Sequence, residues 1–302
     1  GPAVTLRALD PAGDRRWLEA LWTAALGGSW PLLPAGLDLI RAGVVAEERG
    51  AALGMVAVDP AGSIPLLLID PAHQRRGVGT RLLAAALQRL GALGAETVAL
   101  GSGGEDYIWP GVPDDLPAAV GFFAARGWRW DHQVIDLVRD LRGYRPPAGV
   151  YERAARAGVS LEVAGERDLE AVLAFEAATF PSWLRWFERR DSSVLVARDG
   201  QRRVVGTLLF RGPDEALLFA PMLGPMTGTI GCVGVADDLQ GRGVGSAMVA
   251  RASELLRRAG TRACHIGWTE RRDFYVRVGY APWRRYRMSR RQLTSTSRPT
   301  LA

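Results

Sequence analysis

Two short runs in this chain have the composition of an anion cradle. Gln74–Gly79 reads QRRGVG and Gln240–Gly245 reads QGRGVG. Each follows an apolar, strand-like stretch and opens a segment with apolar residues at helical spacing. The N–H groups at a helix start have no intrahelical acceptor, and the aligned peptide dipoles favour negative charge there. Glycine adds close backbone approach and access to positive φ. The spacing is neither the G-x-G-x-x-G of a dinucleotide fold nor a phosphate loop ending in G-K-[ST]. Metal chemistry has less to work with. The histidines are His73, His132 and His265, and the two cysteines, Cys232 and Cys264, sit singly in apolar stretches as small buried hydrophobes.

The elements around the loops repeat as well. Gln74, Gly77 and Gly79 align with Gln240, Gly243 and Gly245. The same offset carries Leu82 to Met248, Leu83 to Val249, Ala86 to Ala252 and Leu90 to Leu256, one buried helix face in both copies. Downstream, FFAARGW (Phe122–Trp128) parallels FYVRVGY (Phe274–Tyr280). A longer connection in the first copy, SGGEDYIWPGVPDD, accounts for the change of offset. The repeat of about 150 residues is a duplicated domain rather than a solenoid unit. The expected division is a first domain over 1–143, a linker over 144–158 around RGYRPPAGVY, a second domain over 159–291 and a frayed tail over 292–302.

In the first copy strands are expected at Val4–Ala8, Val44–Glu48, Ala52–Val58, Pro65–Ile69 and Thr97–Leu100, with a final strand pair over Trp128–Leu141. Helices are expected at Asp14–Ala25, Val78–Leu93 and Leu116–Ala125. The second copy repeats the order, with strands near Leu161 and at Val194–Ala197, Arg203–Phe210, Thr229–Val235 and Ala263–Trp268. Its helices are placed at Val244–Arg258 and Glu270–Val278.

Composition sets the outer bounds. The 302 residues suit two domains, and 48% hydrophobic with 23% charged residues is ordinary for a globular chain. No apolar run is long enough for a membrane span, and the opening residues lack the basic flank and apolar core of a secretory leader, so a cytoplasmic location is expected. The net charge of +6 comes entirely from arginines spread along the chain, with no lysine. Nucleic acid is therefore not an expected partner, since that calls for clustering on one face. Anionic small molecules remain suitable, and the sequence leaves room for a homodimer.

QRRGVG and QGRGVG, each between a strand and a helix, resemble the acetyl-CoA pyrophosphate motif of the GNAT superfamily of N-acetyltransferases. FYVRVGY resembles the F-Y-x-x-x-G-F/Y element that closes that fold. The resemblance covers nearly the whole chain as two tandem units. Three segments, PGVPDDLPAAVGFFAARGW, GTIGCVGVADDLQGRGVGSAMV and IGWTERRDFYVRVGY, are similar to two-domain glucosamine/glucosaminide N-acetyltransferases. The implied fold class is α+β (mixed α/β), each unit a mixed, mostly antiparallel sheet flanked by helices. The implied activity is transfer of acetyl from acetyl-CoA to a primary amine of a small molecule, such as an amino sugar or an aminoglycoside-type compound, by direct attack in a ternary complex.

The resemblance also assigns residues. Gln240, Gly241, Arg242, Gly243, Val244, Gly245 and Ser246 would hold the pyrophosphate, and the strand edge at Val233 and Val235 would pair with the pantetheine arm. In the first copy Arg75, Arg76, Gly77, Gly79 and Thr80 are the counterparts. Tyr275 would give the departing sulfur its proton, being protonated at neutral pH with an ordinary pKa near 10. The first copy has Phe123 there, which places the chemistry in the second. For the amine's proton the expected base is His265, directly or through water, and Glu270 is expected to contact the substrate amine as a further catalytic residue. Tyr107 and Trp109, beside Glu105 and Asp106 in the long connection, are expected to shape a sugar pocket, with Trp183 opposite. Two other readings stay open: another acyl donor (aminoacyl-tRNA or a different acyl-CoA), or a non-catalytic acetyl-CoA-sensing module.

Overall fold

The computed structural model describes residues 3–31, 34–103, 107–214 and 217–293. The chain is mixed α and β and forms two compact units. One holds residues 1–134 and 284–302, the other 135–283.

In the first unit, strands Thr5–Ala8, Gly43–Glu48, Ala51–Ala57 and Leu67–Ile69 pair in that order, all antiparallel. The hairpin between the second and third turns on Arg49 and Gly50, both at positive φ. Two consecutive left-handed residues match the twist of the strands they join. A short strand, Ser63–Ile64, lies parallel to Thr97–Leu100, which pairs antiparallel with Arg290–Gln292. Helix Val78–Ala92 covers this unit's sheets with Leu82, Leu83, Ala86 and Leu90, all buried in one apolar cluster. Each such leucine contributes about 1.5–3 kcal/mol by leaving water.

The second unit repeats the plan. Strands Ser160–Val163, Ser193–Arg198, Val204–Arg211 and Thr227–Val235 are antiparallel neighbours, and Thr227–Val235 then runs parallel to Ala263–Thr269. Helix Val244–Arg258 buries Val244, Ala247, Met248, Val249, Ala252 and Leu256 against this sheet.

The last strand of each half is exchanged. Strand Ala263–Thr269 takes as its outer neighbour residues 135–140 of strand His132–Asp140, which come from the first half of the chain. The equivalent place in the first unit is filled by Arg290–Gln292, from the far end. The compact units therefore differ from the linear division read from the sequence. Residues 135–143, expected in the first domain, belong to the second unit, and residues 284–291, expected in the second, belong to the first. The strand pair expected over Trp128–Leu141 is one long strand. The expected linker is folded core: Tyr144, Val150 and Ala154 are buried, the last two on helix Val150–Arg156. Of the expected tail, Gln292 is in a strand and Leu293 packs on the first unit's core, while residues 294–302 lie outside the described residues.

This exchange makes a prediction. Tyr286, fully buried and paired with Pro113, belongs to the first unit although it lies near the end of the chain. Tyr286→Ala should cost about 3–5 kcal/mol, the usual cost of deleting a buried aromatic. Hydrogen exchange should report the loss in residues 3–134 and leave helix Val244–Arg258 protected.

Candidate functional site

In each unit a parallel strand pair parts midway, and a glycine-capped helix begins at the opening. In the second unit Thr227–Ile230 pair with Ala263–Ile266, and the pairing stops there. The cause lies on the other side of the strand. Thr207 opposes Gly234 and Leu209 opposes Gly231, so Leu208 faces both Cys232 and Val233. That two-against-one count is a β-bulge, and Cys232 sits at φ 50° to make it. Beyond Ile230 the edge of the strand through Val233 and Val235 faces the opening, with no partner strand among the described residues. In the first unit Ser63 and Ile64 pair with Ala99 and Leu100, then Pro65 interrupts the strand and Gly101, at φ 87°, turns its neighbour away. Proline has no N–H to continue a ladder. Different devices produce the same fork.

Each opening leads to its loop. Gln240 Nε2 bonds the Val235 carbonyl at 3.2 Å and Asp237 Oδ1 at 3.1 Å, and Gln74 Nε2 bonds the Ile69 carbonyl at 3.3 Å. The glutamine ties the loop to the strand end. Gly243 (φ 85°) and Gly77 (φ 80°) are the left-handed caps of the two helices. The first N–H to find an intrahelical acceptor is that of Ala247, on the Gly243 carbonyl at 3.1 Å. The N–H groups of Val244, Gly245 and Ser246 are therefore offered to the opening. Gly245 has a second reason to lack a side chain, because a Cβ there would lie 3.2 Å from the Phe274 ring. Gly79 stands in the same relation to Phe122, at 3.1 Å.

The two cradles differ in what lies over the cap. A Cβ on Gly77 would meet nothing within 4 Å, whereas one on Gly243 would lie 2.6 Å from Arg153 Cδ. Arg153 comes from helix Val150–Arg156, inside the supposed linker, which is why it escaped notice in the sequence. The first unit's cradle opens on a cavity of about 850 Å³ lined by Leu66–Ile69, Arg75, Gly77, Gly79 and Thr80. Thr80 Oγ1 accepts from Arg126 at 2.6 Å, and Arg76 is paired with Glu48 at 3.0 Å.

The residues nominated for chemistry fall in different environments. Tyr275, on helix Arg272–Arg277, is buried beside Phe274, ring centroids 4.8 Å apart and nearly perpendicular. Burial pushes its phenol well above 10, partly offset by Arg271, so it stays protonated. Phe123 repeats the geometry with Phe122 at 5.1 Å, without the hydroxyl. His265 is buried one pair before the fork, its Nε2 3.1 Å from Asp136 Oδ2. That is ion-pair distance without hydrogen-bond alignment. The Phe219 and Trp283 rings enclose it at 4.8 and 5.7 Å. Glu270 is exposed in the bend after strand Ala263–Thr269.

Among the nominated pocket residues, Trp109 lines the first unit's cavity and packs on Trp22 and Trp30, at 5.4 and 5.3 Å. Tyr107 is half-buried on the same segment, while Glu105 and Asp106 lie outside the described residues. Trp183 belongs to the second unit and stacks on Phe180 at 4.8 Å. Phe180 in turn presses on the fork strand: a Cβ on Gly234 would lie 2.4 Å from its ring.

Sequence reading missed Glu176. On helix Leu169–Thr179 it lies one turn after Val172 on the buried face, so a charge in the apolar stripe was its only signal. Thr207 Oγ1 donates to its Oε1, and its Oε2 is buried without a hydrogen-bond partner among the described residues. Burial raises its carboxyl to about 7, offset in part by the Thr207 bond.

Comparison with known proteins follows this geometry. The Acetyltransferase (GNAT) family model matches residues 162–280, and the Acetyltransferase (GNAT) domain model matches residues 41–129. A mycothiol acetyltransferase of Beutenbergia cavernae is 32% identical over 270 residues, 79% of this chain and 80% of the relative. One from Clavibacter sepedonicus is 29% identical over 273 residues, 84% of this chain and 77% of the relative. Among solved structures, a glucosamine N-acetyltransferase region of a fungal multi-domain β-N-acetylglucosaminidase superposes with a TM-score of 0.88 at 30% identity. That match covers 96% of this chain, which spans 38% of the fungal one.

The buried acid has a measurable cost. Its carboxyl is raised from 4.5 to about 7, so the folded state holds a proton that the unfolded chain releases near 4.5. The stability it contributes is present below pH 4.5 and lost as pH rises through 7, a swing of about 3 kcal/mol. Glu176→Gln, which has no proton to lose, should gain on wild type between pH 5 and pH 8 in urea unfolding of the second unit.

Proposed function

Since the chain belongs to the GNAT acetyltransferase family and is an N-acetyltransferase, we propose that its second unit moves acetyl from acetyl-CoA to the primary amine of a small molecule such as an amino sugar. The observation that carries the reading is the conjunction, in one unit, of the forked strand, the glycine-capped helix and a buried, protonated Tyr275. The glucosamine N-acetyltransferase region among the structural relatives supports the amino-sugar class.

Acetyl-CoA supplies an acetyl group already activated as a thioester. The chain's part is to bind, orient and move protons. The N–H groups of Val244, Gly245 and Ser246, with Gly241 and Arg242 leading into them, form the pyrophosphate cradle, and the Arg153 stem brings a guanidinium to the same loop. Gln240 acts at one remove by holding the loop to the strand. Val233 and Val235 offer a strand edge whose backbone groups suit the amides of the pantetheine arm. Tyr275 holds the proton destined for the leaving sulfur, and its raised pKa keeps that proton in place until negative charge develops nearby. Phe180 and Trp183 supply the aromatic wall that a sugar ring would use.

The first unit keeps the cradle through Arg75, Gly77, Gly79 and Thr80, with Arg76 beside it. Phe123 removes the proton donor, so we assign that unit acyl-CoA binding without transfer.

Tyr275→Phe should lower kcat by roughly 10² in a thiol-release assay with acetyl-CoA and amino-sugar acceptors, with acetyl-CoA affinity unchanged by calorimetry. Full turnover by this variant would overturn the assignment. Gly243→Trp, which strains a left-handed position and fills the space against Arg153, should abolish turnover; retained activity would place the chemistry elsewhere.

A further inference from the structure

Glu176 lacks a structural explanation. It is fully buried in the second unit, yet only one of its two carboxyl oxygens has a partner. Its own helix sends Val172, one turn before it, into an apolar cluster with Phe187 and Val196, on which Leu209 packs. An orphaned polar atom in such a layer costs free energy, and a methionine or leucine would fill the place without that cost. Groups that cost stability and persist are those a site needs.

Its position fits the fork. Phe180, the residue that caps the end of the same helix, is pressed against Gly234 on the free edge of the forked strand. Glu176 itself is bonded to Thr207, the residue opposite Gly234 in the sheet. Thr207 is the hydrogen-bond partner of Glu176 among the described residues. Of the residues nominated from the sequence, His265 lies at ion-pair distance from Asp136 and Glu270 is exposed in the bend after its strand.

We propose that Glu176 is the carboxylate that receives the acceptor's amine at the fork and takes its proton. This rests on the acetyl-transfer reading above. An ammonium is the missing partner of the orphan oxygen. Proton transfer to Glu176 leaves the nitrogen with a free pair, which forms the new bond to the carbonyl carbon. The carbon–sulfur bond breaks, the sulfur keeps its electrons and takes the Tyr275 proton, and the nitrogen's surplus proton returns to the tyrosine oxygen. The proton on Glu176 leaves to solvent with the product. One ammonium and one thioester thus give one amide, one thiol and one released proton. A carboxyl poised near neutrality can do this, whereas an ordinary glutamate is too weak a base.

The test compares wild type, Glu176→Gln and His265→Asn in the full chain, using acetyl-CoA with glucosamine and a panel of other amines. Glu176→Gln keeps the size and the Thr207 contact. It should lose at least about 10²-fold in kcat/KM for the amine, keep KM for acetyl-CoA within about twofold, and lose the acidic limb of the pH profile. His265→Asn should keep both activity and limb. Infrared titration gives a readout independent of turnover. Wild type should show a protonated-carboxyl band absent from Glu176→Gln, and adding the acceptor amine with desulfo-CoA should bleach it. Wild-type activity and pH profile in Glu176→Gln, a band indifferent to the amine, or the loss appearing in His265→Asn instead would overturn the role of Glu176. Failure of wild type to acetylate any amine would overturn the acetyl-transfer reading itself, a distinct outcome because all three proteins would then be silent.

Discussion

Everything at the candidate site follows from two parallel strands being forced apart after Ile230 and Ile266. A sheet interior leaves no room for a ligand, because each backbone N–H and carbonyl is already paired. Ending the ladder midway leaves a stretch of strand edge that seeks a partner, with helix N–H groups at the same opening. The Cys232 bulge enforces this in the second unit, and Pro65 with Gly101 enforces it in the first. Unrelated local devices thus reach one geometry, so the two copies share the fork rather than the residues that make it.

The motif glycines divide their work in a way spacing alone conceals. Gly77 and Gly243 are left-handed caps, which a side chain would strain. Gly79 and Gly245 are small because a phenylalanine ring from the closing helix lies over them. That ring couples the glycine loop to the helix that carries Tyr275 or Phe123, so the proposed anion site and the proposed proton donor share one packing contact. The first unit keeps the coupling and discards the hydroxyl. The second keeps both and adds Arg153 over its cap.

The loops, both long helices, most strands and the Tyr275–Phe123 asymmetry were legible because they rest on local periodicity and on repetition within one chain. The exchange of last strands was not. Residues 135–140 read as a strand wherever they pair, and nothing in their alternation says that the partner is Ala263–Thr269. For the same reason the partner of His265 was hidden, since Asp136 lies in the exchanged strand. Helix Val150–Arg156 was obscured by Pro146 and Pro147 before it, which made the whole segment look like a joint. Glu176 was visible only as a charge on an apolar helix face, a pattern that usually marks a turned helix rather than a site. Trp109 was read as a sugar-pocket aromatic, and that it lines the first unit's cavity needed the fold.

The central claim is that each fork with its capped helix is an acyl-CoA cradle. Calorimetric titration of the full chain with CoA tests it most directly. The account predicts two molecules per chain, falling to one when Gly77 or Gly243 alone is replaced by tryptophan and to none when both are. Binding of CoA that survives the double replacement, or no binding by the wild-type chain, would contradict it.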